Sequence, residues 1–361
     1  MTAEVVRLLL IPPLAIAHGA FWSILLGNLA YLRRQEASAS APLPSLSVCI
    51  PARNEAENLR RLVPTLRAQD YPELEILVWD DGSDDDTWEV LTRADAPRLT
   101  PLRGSAPPPG WVGKVHALYQ ALRQLVDRHR HSSTRLSSGF PKLTSNALLL
   151  VSLVPHAILS SLPWPLVPRT QMAGLSALNG QCWLIDSDVY HTQEPHEAVK
   201  DAVLEDVAIG RYLKQEGIPP TLLDVQDLIA VHMYDSFGAA WRGFRKNAYL
   251  LLGGTLPQFM LMYSGFILCW LIAPLLSLWF LASLYGLKIV TDRVSGMSAL
   301  VSLLAPVSYL LALVLQLDSA IHHWRGQVRW KGRSVPSSAR PTASSEERED
   351  TPAPTGRQES F

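Results

Sequence analysis

The hydropathy pattern divides the chain into apolar runs around a region of shorter, alternating periods. Leu8 to Leu32 contains no Asp, Glu, Lys or Arg and is followed by Arg33 and Arg34. A second charge-free stretch runs from Asn247 to Leu287, and a third from Val294 to Leu317. Each can supply the roughly 20 apolar residues that cross about 30 Å of hydrocarbon. Between the first and second runs the period changes. Leu46 to Ile50 is a short set of β-formers ended by Pro51. Leu59, Leu62, Val63 and Leu66 recur at helical spacing, with Asn54 placed to N-cap the helix and Glu57 three residues on. Pro64 predicts a kink or an early end. Leu74 to Trp79 reads as a second strand that runs into the polar stretch Asp80 to Thr87 before another helical pattern. Strand, helix, strand, helix predicts a parallel α/β sheet. In such sheets ligands bind beyond the carboxyl ends of the strands. Ala198 to Gly217 reads as one helix, with Gly217 just past its end.

Charge orients the apolar runs. The first is long for a signal peptide and its Arg pair follows it, so it reads as an uncleaved anchor. Positive-inside reasoning places Arg33 and Arg34, then Arg242, Arg245 and Lys246, then Arg325, Arg329, Lys331 and Arg333, all in the cytosol. The expected division is an anchor at 1–34, a linker at 35–44, a cytosolic domain at 45–250, two membrane helices within 251–318 and a basic cytosolic segment at 319–333. The Ser, Pro, Arg and Glu-rich tail at 334–361 cannot bury a core and is expected to be disordered. The two C-terminal spans would be joined by an outside loop at Lys288 to Arg293. A fourth apolar run, 147–167, holds His156 and prolines at 155, 163 and 165. It reads as a helix in or near the membrane interface, with a buried core helix as the alternative.

Composition removes some functions. The 361 residues are 48% hydrophobic and 18% charged, with a net charge of −1, so nothing points to a nucleic acid partner. Cys49, Cys182 and Cys269 have no paired spacing that would suggest zinc. The candidate chemistry sits at the two predicted strand ends, Arg53-Asn54-Glu55 and Asp80-Asp81-Gly82-Ser83. Carboxylates there can accept hydrogen bonds from a base or from ribose hydroxyls, or hold a divalent cation through oxygen. Asp84 to Asp86 reads as a solvated acidic turn.

With these pieces in order, the sequence resembles a family-2 glycosyltransferase of the GT-A fold. The residues that carry the resemblance are Val48 to Glu55, Val78 to Ser83, Gly110 to Lys114, Asn179 to Gln181, Leu204 to Asp206, Trp241 to Asn247 and Arg329 to Arg333. It is nearest in kind to membrane enzymes of carotenoid and hopanoid pathways. The resemblance implies a UDP-sugar donor, a lipid acceptor and a divalent metal, Mg or Mn. It implies that Asn54 and Glu55 lie beside the nucleotide and that Asp80-Asp81 belongs to the donor site, Asp81 contacting uracil or ribose. Lys114 would approach the base or phosphates. Asp206 would be the general base, with Glu205 beside it. Trp241, Arg242 and Arg245 would belong to the membrane-proximal motif that closes over the donor. Read from the residues alone, Glu205 and Asp206 are equally the solvated face of a helix.

One departure matters. The family's metal-binding Asp-x-Asp stands at the end of a third strand, after the helix that follows the lysine. Here Val115 to His131 leads directly into Ser132 to Pro141, which contains no Asp or Glu and no strand-like apolar run. A strand with its metal aspartates is expected to be missing, and turnover to be very low or absent. Asp186 and Asp188 are the one Asp-x-Asp at a predicted strand end, as a substitute metal pair or a helix cap. Three classes remain: an active transferase, a degenerate relative acting as a binding or scaffold protein, and a transporter. The last is disfavoured by spans without charge.

Overall fold

The computed structural model describes residues 3–33, 45–94, 98–104, 135–176, 178–327, 329–330 and 333–334. The linker, Lys114 and the tail beyond Ser334 lie outside these residues.

The chain opens on a long helix, α1 (Ala3–Arg33). It is followed by β1 (Leu46–Ala52), α2 (Ala56–Arg67), β2 (Leu74–Asp80), α3 (Thr87–Arg93) and β3 (Leu99–Arg103). The three strands form a parallel sheet in the order β1-β2-β3, with Ala52 opposite Asp80 at the carboxyl ends of the first pair. Its core is Leu59, Val63, Leu74, Ile76, Val78 and Leu91, the apolar positions of two helices and a buried strand. Cys49 faces inward from β1, and burial, then the nearby Glu75 carboxylate, pushes its thiol far above the usual range. That makes it an inert core residue. Pro64 does not stop α2, which runs a further turn to Arg67.

A second sheet follows, built from β4 (Leu136–Phe140), β6 (Trp183–Ile185) and β7 (Thr221–Asp224) in the order β6-β4-β7. Two short strands, β5 (Lys142–Thr144) and β8 (Ala230–His232), pair alongside. β4 corrects the reading of Ser132 to Pro141 as strandless. Its Ser137, Ser138 and Gly139 have low β-propensity, yet the whole strand is buried. Small side chains are required there, because a Cβ on Gly139 would lie 3.1 Å from Cys182. Packing outweighs propensity at such a site. Among the described residues β1-β2-β3 and β6-β4-β7 form two separate sheets, with β1 at an edge of one and β6 at an edge of the other.

The 147–167 run becomes α4 (Leu148–Val151), α5 (Leu153–Ser161) and a 3-10 turn at Trp164–Arg169. Leu150, Val151, Leu159, Trp164 and Val167 are buried. Asn28, fully buried in α1, fixes this segment. Its amide donates to the carbonyls of Leu159 and Leu162, and its carbonyl accepts from Trp164 N at 2.9 Å. One side chain thus satisfies the free backbone groups at the end of a helix.

Next come α6 (Ser187–Gln193), α7 (Pro195–Ala198) and α8 (Glu205–Gln215). The helix expected from Ala198 onward begins only at Glu205, and Gly217 follows its end at φ +78°. The last part is α9 (Phe237–Leu251), α10 (Leu256–Ile267), a π turn (Leu268–Ile272), α11 (Ala273–Leu276), α12 (Leu278–Val294), α13 (Ala299–Leu303) and α14 (Ala305–Trp324). Arg7–Arg33, Leu256–Leu276 and Ala305–Trp324 are long and apolar enough to cross a membrane. The α/β expectation, with such helices at both ends, therefore holds.

Two C-terminal details differ from the sequence reading. Lys288 to Arg293 is helix, not loop, and Val294 to Leu317 is broken near Gly296. Lys288 and Asp292 are one helical turn apart and pair in the interior. Lys288 also donates to Ser152, and Asp292 accepts from Ser302. The pair neutralises both charges, so hydropathy alone cannot see that the segment is buried.

Candidate active site

The first group of candidate residues is assembled by the parallel pairing of β1 and β2, which sets their carboxyl ends side by side. Asp81 N donates to Ala52 O at 2.8 Å, and Arg53 Nη1 donates to Asp81 O while lying 3.9 Å from its carboxylate. Asn54 adopts φ 54°, a left-handed conformation that Asn tolerates better than most residues. It is therefore not the N-cap of α2, a position held by Glu55. Its backbone N–H donates to Ser83 Oγ, and its side-chain oxygen accepts from Asp84 N. Glu55 N donates to Thr87 Oγ1 at 2.9 Å. These bonds stitch the two strand-end loops into one rigid surface.

Within it the two aspartates differ. Asp80 is fully buried and accepts from both the amide and the hydroxyl of Ser83 through Oδ1, whereas its Oδ2 has no hydrogen-bond partner. A buried carboxylate oxygen in that state is costly unless a ligand donates to it. The acidic turn that follows is structural. Burial alone would push the Asp85 carboxyl up, but the Thr87 hydroxyl and amide and the Ala56 amide hydrogen-bond its charged form and hold it below the usual carboxylate range. Asp86 pairs with Arg60.

The second group lies at the start of α8. Asp206 is in the first turn, not mid-helix, and accepts from Gly180 N at 2.8 Å. Glu205 beside it is buried. Asn179 anchors the Gly180 loop: its N–H donates to Ser138 Oγ and its side-chain amide donates to Gly139 O, both on β4. A Cβ on Gly180 would lie 2.7 Å from Asp206 Oδ2, so only glycine lets the carboxylate reach that amide.

The third group is on α9. Trp241 Nε1 donates to Asp318 Oδ2 at 2.7 Å, and Arg245 lies 3.7 Å from the same oxygen. Arg242 is exposed. Asp318 was not found by sequence reasoning; its only signal is a lone acid near the end of an apolar helix, one turn before His322.

Asp186 accepts from Asp188 N and caps α6, and Asp188 is exposed. Among the described residues no group of three or more His, Cys, Asp and Glu side chains could hold a metal ion. Neither Asp186 nor Asp188 is joined by a third such ligand, so the described residues do not by themselves fit a divalent metal.

The family described as glycosyl transferase family 2 matches residues 47–125. A 4,4'-diaponeurosporenoate glycosyltransferase of Staphylococcus haemolyticus is 23% identical over 362 residues, covering 86% of this chain and 95% of its own. A Staphylococcus aureus protein of the same name is 23% identical over 296 residues, covering 71% and 74%. Among solved structures, a mannosyltransferase from Pyrobaculum calidifontis in complex with GDP-Man and Mn2+ aligns at a TM-score of 0.44 and 17% identity, covering 86% of this chain and 98% of its own. The matching family model and the names of the relatives give the class as glycosyltransferase. Within it, residues 47–125 are similar to glycosyl transferase family 2, and the relatives are named as 4,4'-diaponeurosporenoate glycosyltransferases. The S. haemolyticus alignment spans 362 residues while drawing on 86% of a 361-residue chain, so it carries gaps on this chain's side.

Proposed function

We propose that this protein transfers a hexose from a UDP-sugar to a lipid or carotenoid-type acceptor at the cytosolic face of a membrane. The observation that carries the reading is the pair Asp80 and Asp81 at the carboxyl end of β2, beside the end of β1, with a buried Asp80 oxygen that lacks a donor among the described residues. A nucleoside presents N–H and hydroxyl donors of the kind this surface would accept. In the proposed step Asp206 removes the acceptor's proton, the acceptor oxygen bonds to the anomeric carbon, and the sugar–phosphate bond breaks to release UDP. Gly180 holds the base, and Arg242, exposed on α9, supplies positive charge for the leaving diphosphate. The names of the relatives favour this enzymatic reading over the scaffold alternative.

Donor binding tests it directly. Detergent-solubilised protein is expected to bind UDP, and Asp81→Ala to weaken that binding by about 5- to 150-fold, the equivalent of roughly 1–3 kcal/mol. Calorimetric titration giving equal affinity for the two proteins would remove the assignment. Turnover is assayed with UDP-glucose, Mg or Mn, and a carotenoid acid or a polyprenyl phosphate. Absence of product with every acceptor, in protein that binds UDP, would leave a nucleotide-binding protein without this activity.

A further inference from the structure

We infer that residues 148–167 form a re-entrant element sunk in the cytosolic half of the membrane. It enters and leaves on the side of the α/β region and turns one apolar stripe to the acyl chains. The inference rests on α1 being a span. The helical stretch Leu148–Ser161 is apolar but gives only about 21 Å of helix, too short for about 30 Å of hydrocarbon. Between Lys142 and Arg169 the chain has no Asp, Glu, Lys or Arg.

Both ends are tied to the α/β region. Before the element, Ser145 Oγ donates to Tyr234 O and the Asn146 amide donates to Asp235 O, just after β8. After it, Val167 packs in one cluster with Phe140 of β4 and Leu222 of β7, and Lys214 of α8 donates to Thr170 Oγ1 at 3.1 Å.

Its depth follows from α1 and α12. The charge-free run Leu8 to Leu32 has its midpoint at Ala20. Asn28 stands eight residues further on, about 12 Å along the axis, within the roughly 15 Å half-thickness of the hydrocarbon. Asn28 is the residue that binds the carbonyls of Leu159 and Leu162 and the amide of Trp164, so the end of α5 shares its depth. Trp270 bridges His156 to His18, with ring centroids 5.4 and 5.6 Å away, and His18 is two residues from the midpoint. Lys288, which donates to Ser152, is five residues, or about 7.5 Å, along α12 from Ser283, the partner of His18. Ser152, His156 and Leu162 are thus all at hydrocarbon depth.

Polar groups and irregular backbone at that depth need partners inside the protein. Asn28 supplies them at the exit. Ser152 and His156 meet Lys288, Thr291 and Tyr309, and Asp292 neutralises Lys288. The outward side is apolar. Val154, Ala157, Ile158 and Ser161 recur at helical spacing and are exposed or half-buried, and Leu166 is exposed. Acyl chains are the occupant because the stripe continues that of α1. Ile158 and Leu162 pack on the cluster that holds Leu25 and Leu32, and Ile16 and Leu26 of α1 are themselves exposed. The exit continues to Asn179 and Gly180, the loop that holds Asp206, so a lipid acceptor can meet the proposed base at the surface of the leaflet it occupies.

Two measurements test this in the full chain, with Cys49, Cys182 and Cys269 replaced by alanine. In the first, single cysteines carry a fluorophore in vesicles whose phospholipids bear acyl-chain nitroxides. Ala157→Cys is expected to be quenched several-fold more by the nitroxides than by aqueous iodide, as is Ile16→Cys on α1. Asp70→Cys in the α/β region should show the reverse. An Ala157 label quenched mainly by iodide, or by neither agent, would overturn the inference while Ile16 stays lipid-exposed. Iodide reaching the Ile16 label would instead remove α1 as a span, and this inference with it. In the second, intact cells and inverted vesicles are treated with an impermeant maleimide. Lys142→Cys and Gln171→Cys should react on the same side as Asp70→Cys. Reaction of the two on opposite sides would make the segment a crossing and overturn the re-entrant path.

Discussion

Asp206→Asn is expected to lower transfer to a hydroxyl acceptor by about 100- to 10,000-fold, the range of general-base assistance. The substitution keeps the size of the side chain and removes its ability to take a proton. Gly180→Ala should give a related loss by another route. Its new Cβ would sit 2.7 Å from the carboxylate and displace it from the Gly180 amide. The carboxylate would lose this donor and its fixed position, so turnover should fall at every pH. UDP affinity should be unchanged in both variants. The size of the Asp206→Asn effect also reports on the acceptor. A carboxylic acid has a pKa of about 4 and reaches the site already ionised near neutral pH, so it needs no base. A large loss with an alcohol and a small one with a carotenoid acid would follow. Unchanged rates with both acceptors would remove Asp206 from the mechanism.

The second large effect concerns stability. Asp292→Ala leaves the Lys288 ammonium fully buried without its carboxylate. Breaking a buried ion pair by removing one partner costs about 3–5 kcal/mol, a large share of the roughly 5–15 kcal/mol that holds a typical domain folded. The variant is expected to give little folded protein after solubilisation and a strongly lowered melting temperature by intrinsic fluorescence. Replacing both partners, Lys288→Met with Asp292→Leu, should recover most of the loss, because neither charge then needs compensation. A single variant that melts within a degree of the parent would show that Lys288 is solvated instead of buried. The consequence for function is indirect. Lys288 ties α12 to Ser152, and His156, on α5, meets Thr291 of α12 at 3.1 Å and Tyr309 of α14 at 2.9 Å. Loosening α12 would therefore disturb the surface on which α14 and α9 are mounted.

What the sequence determined by itself is local or periodic. The first two strands follow from runs of β-formers, although β1 continues through Pro51 to Ala52 instead of ending there, and helical spacing at Leu59 to Leu66 locates α2. The apolar runs near Leu8 and Leu256 locate two helices. The donor-site motif Asp80 to Ser83 could be found because it directly follows an apolar strand, where a parallel sheet exposes its ligands.

What only tertiary structure decided depends on partners remote in sequence. β4 is a strand because Cys182 and the flanking strands enclose Ser137 to Gly139, residues with no strand signal of their own. Asp206 meets Gly180 because β4 anchors Asn179, 27 positions earlier in the chain. The loop expected at Lys288 is helix because Asp292 and Ser152 satisfy a charge that hydropathy treats as exposed. Asp318 stood unnoticed in an apolar helix until α9 supplied Trp241 and Arg245. Periodicity reports which face of an element is apolar. It carries no information about which polar group will meet a buried charge, because that pairing is made by the approach of distant segments.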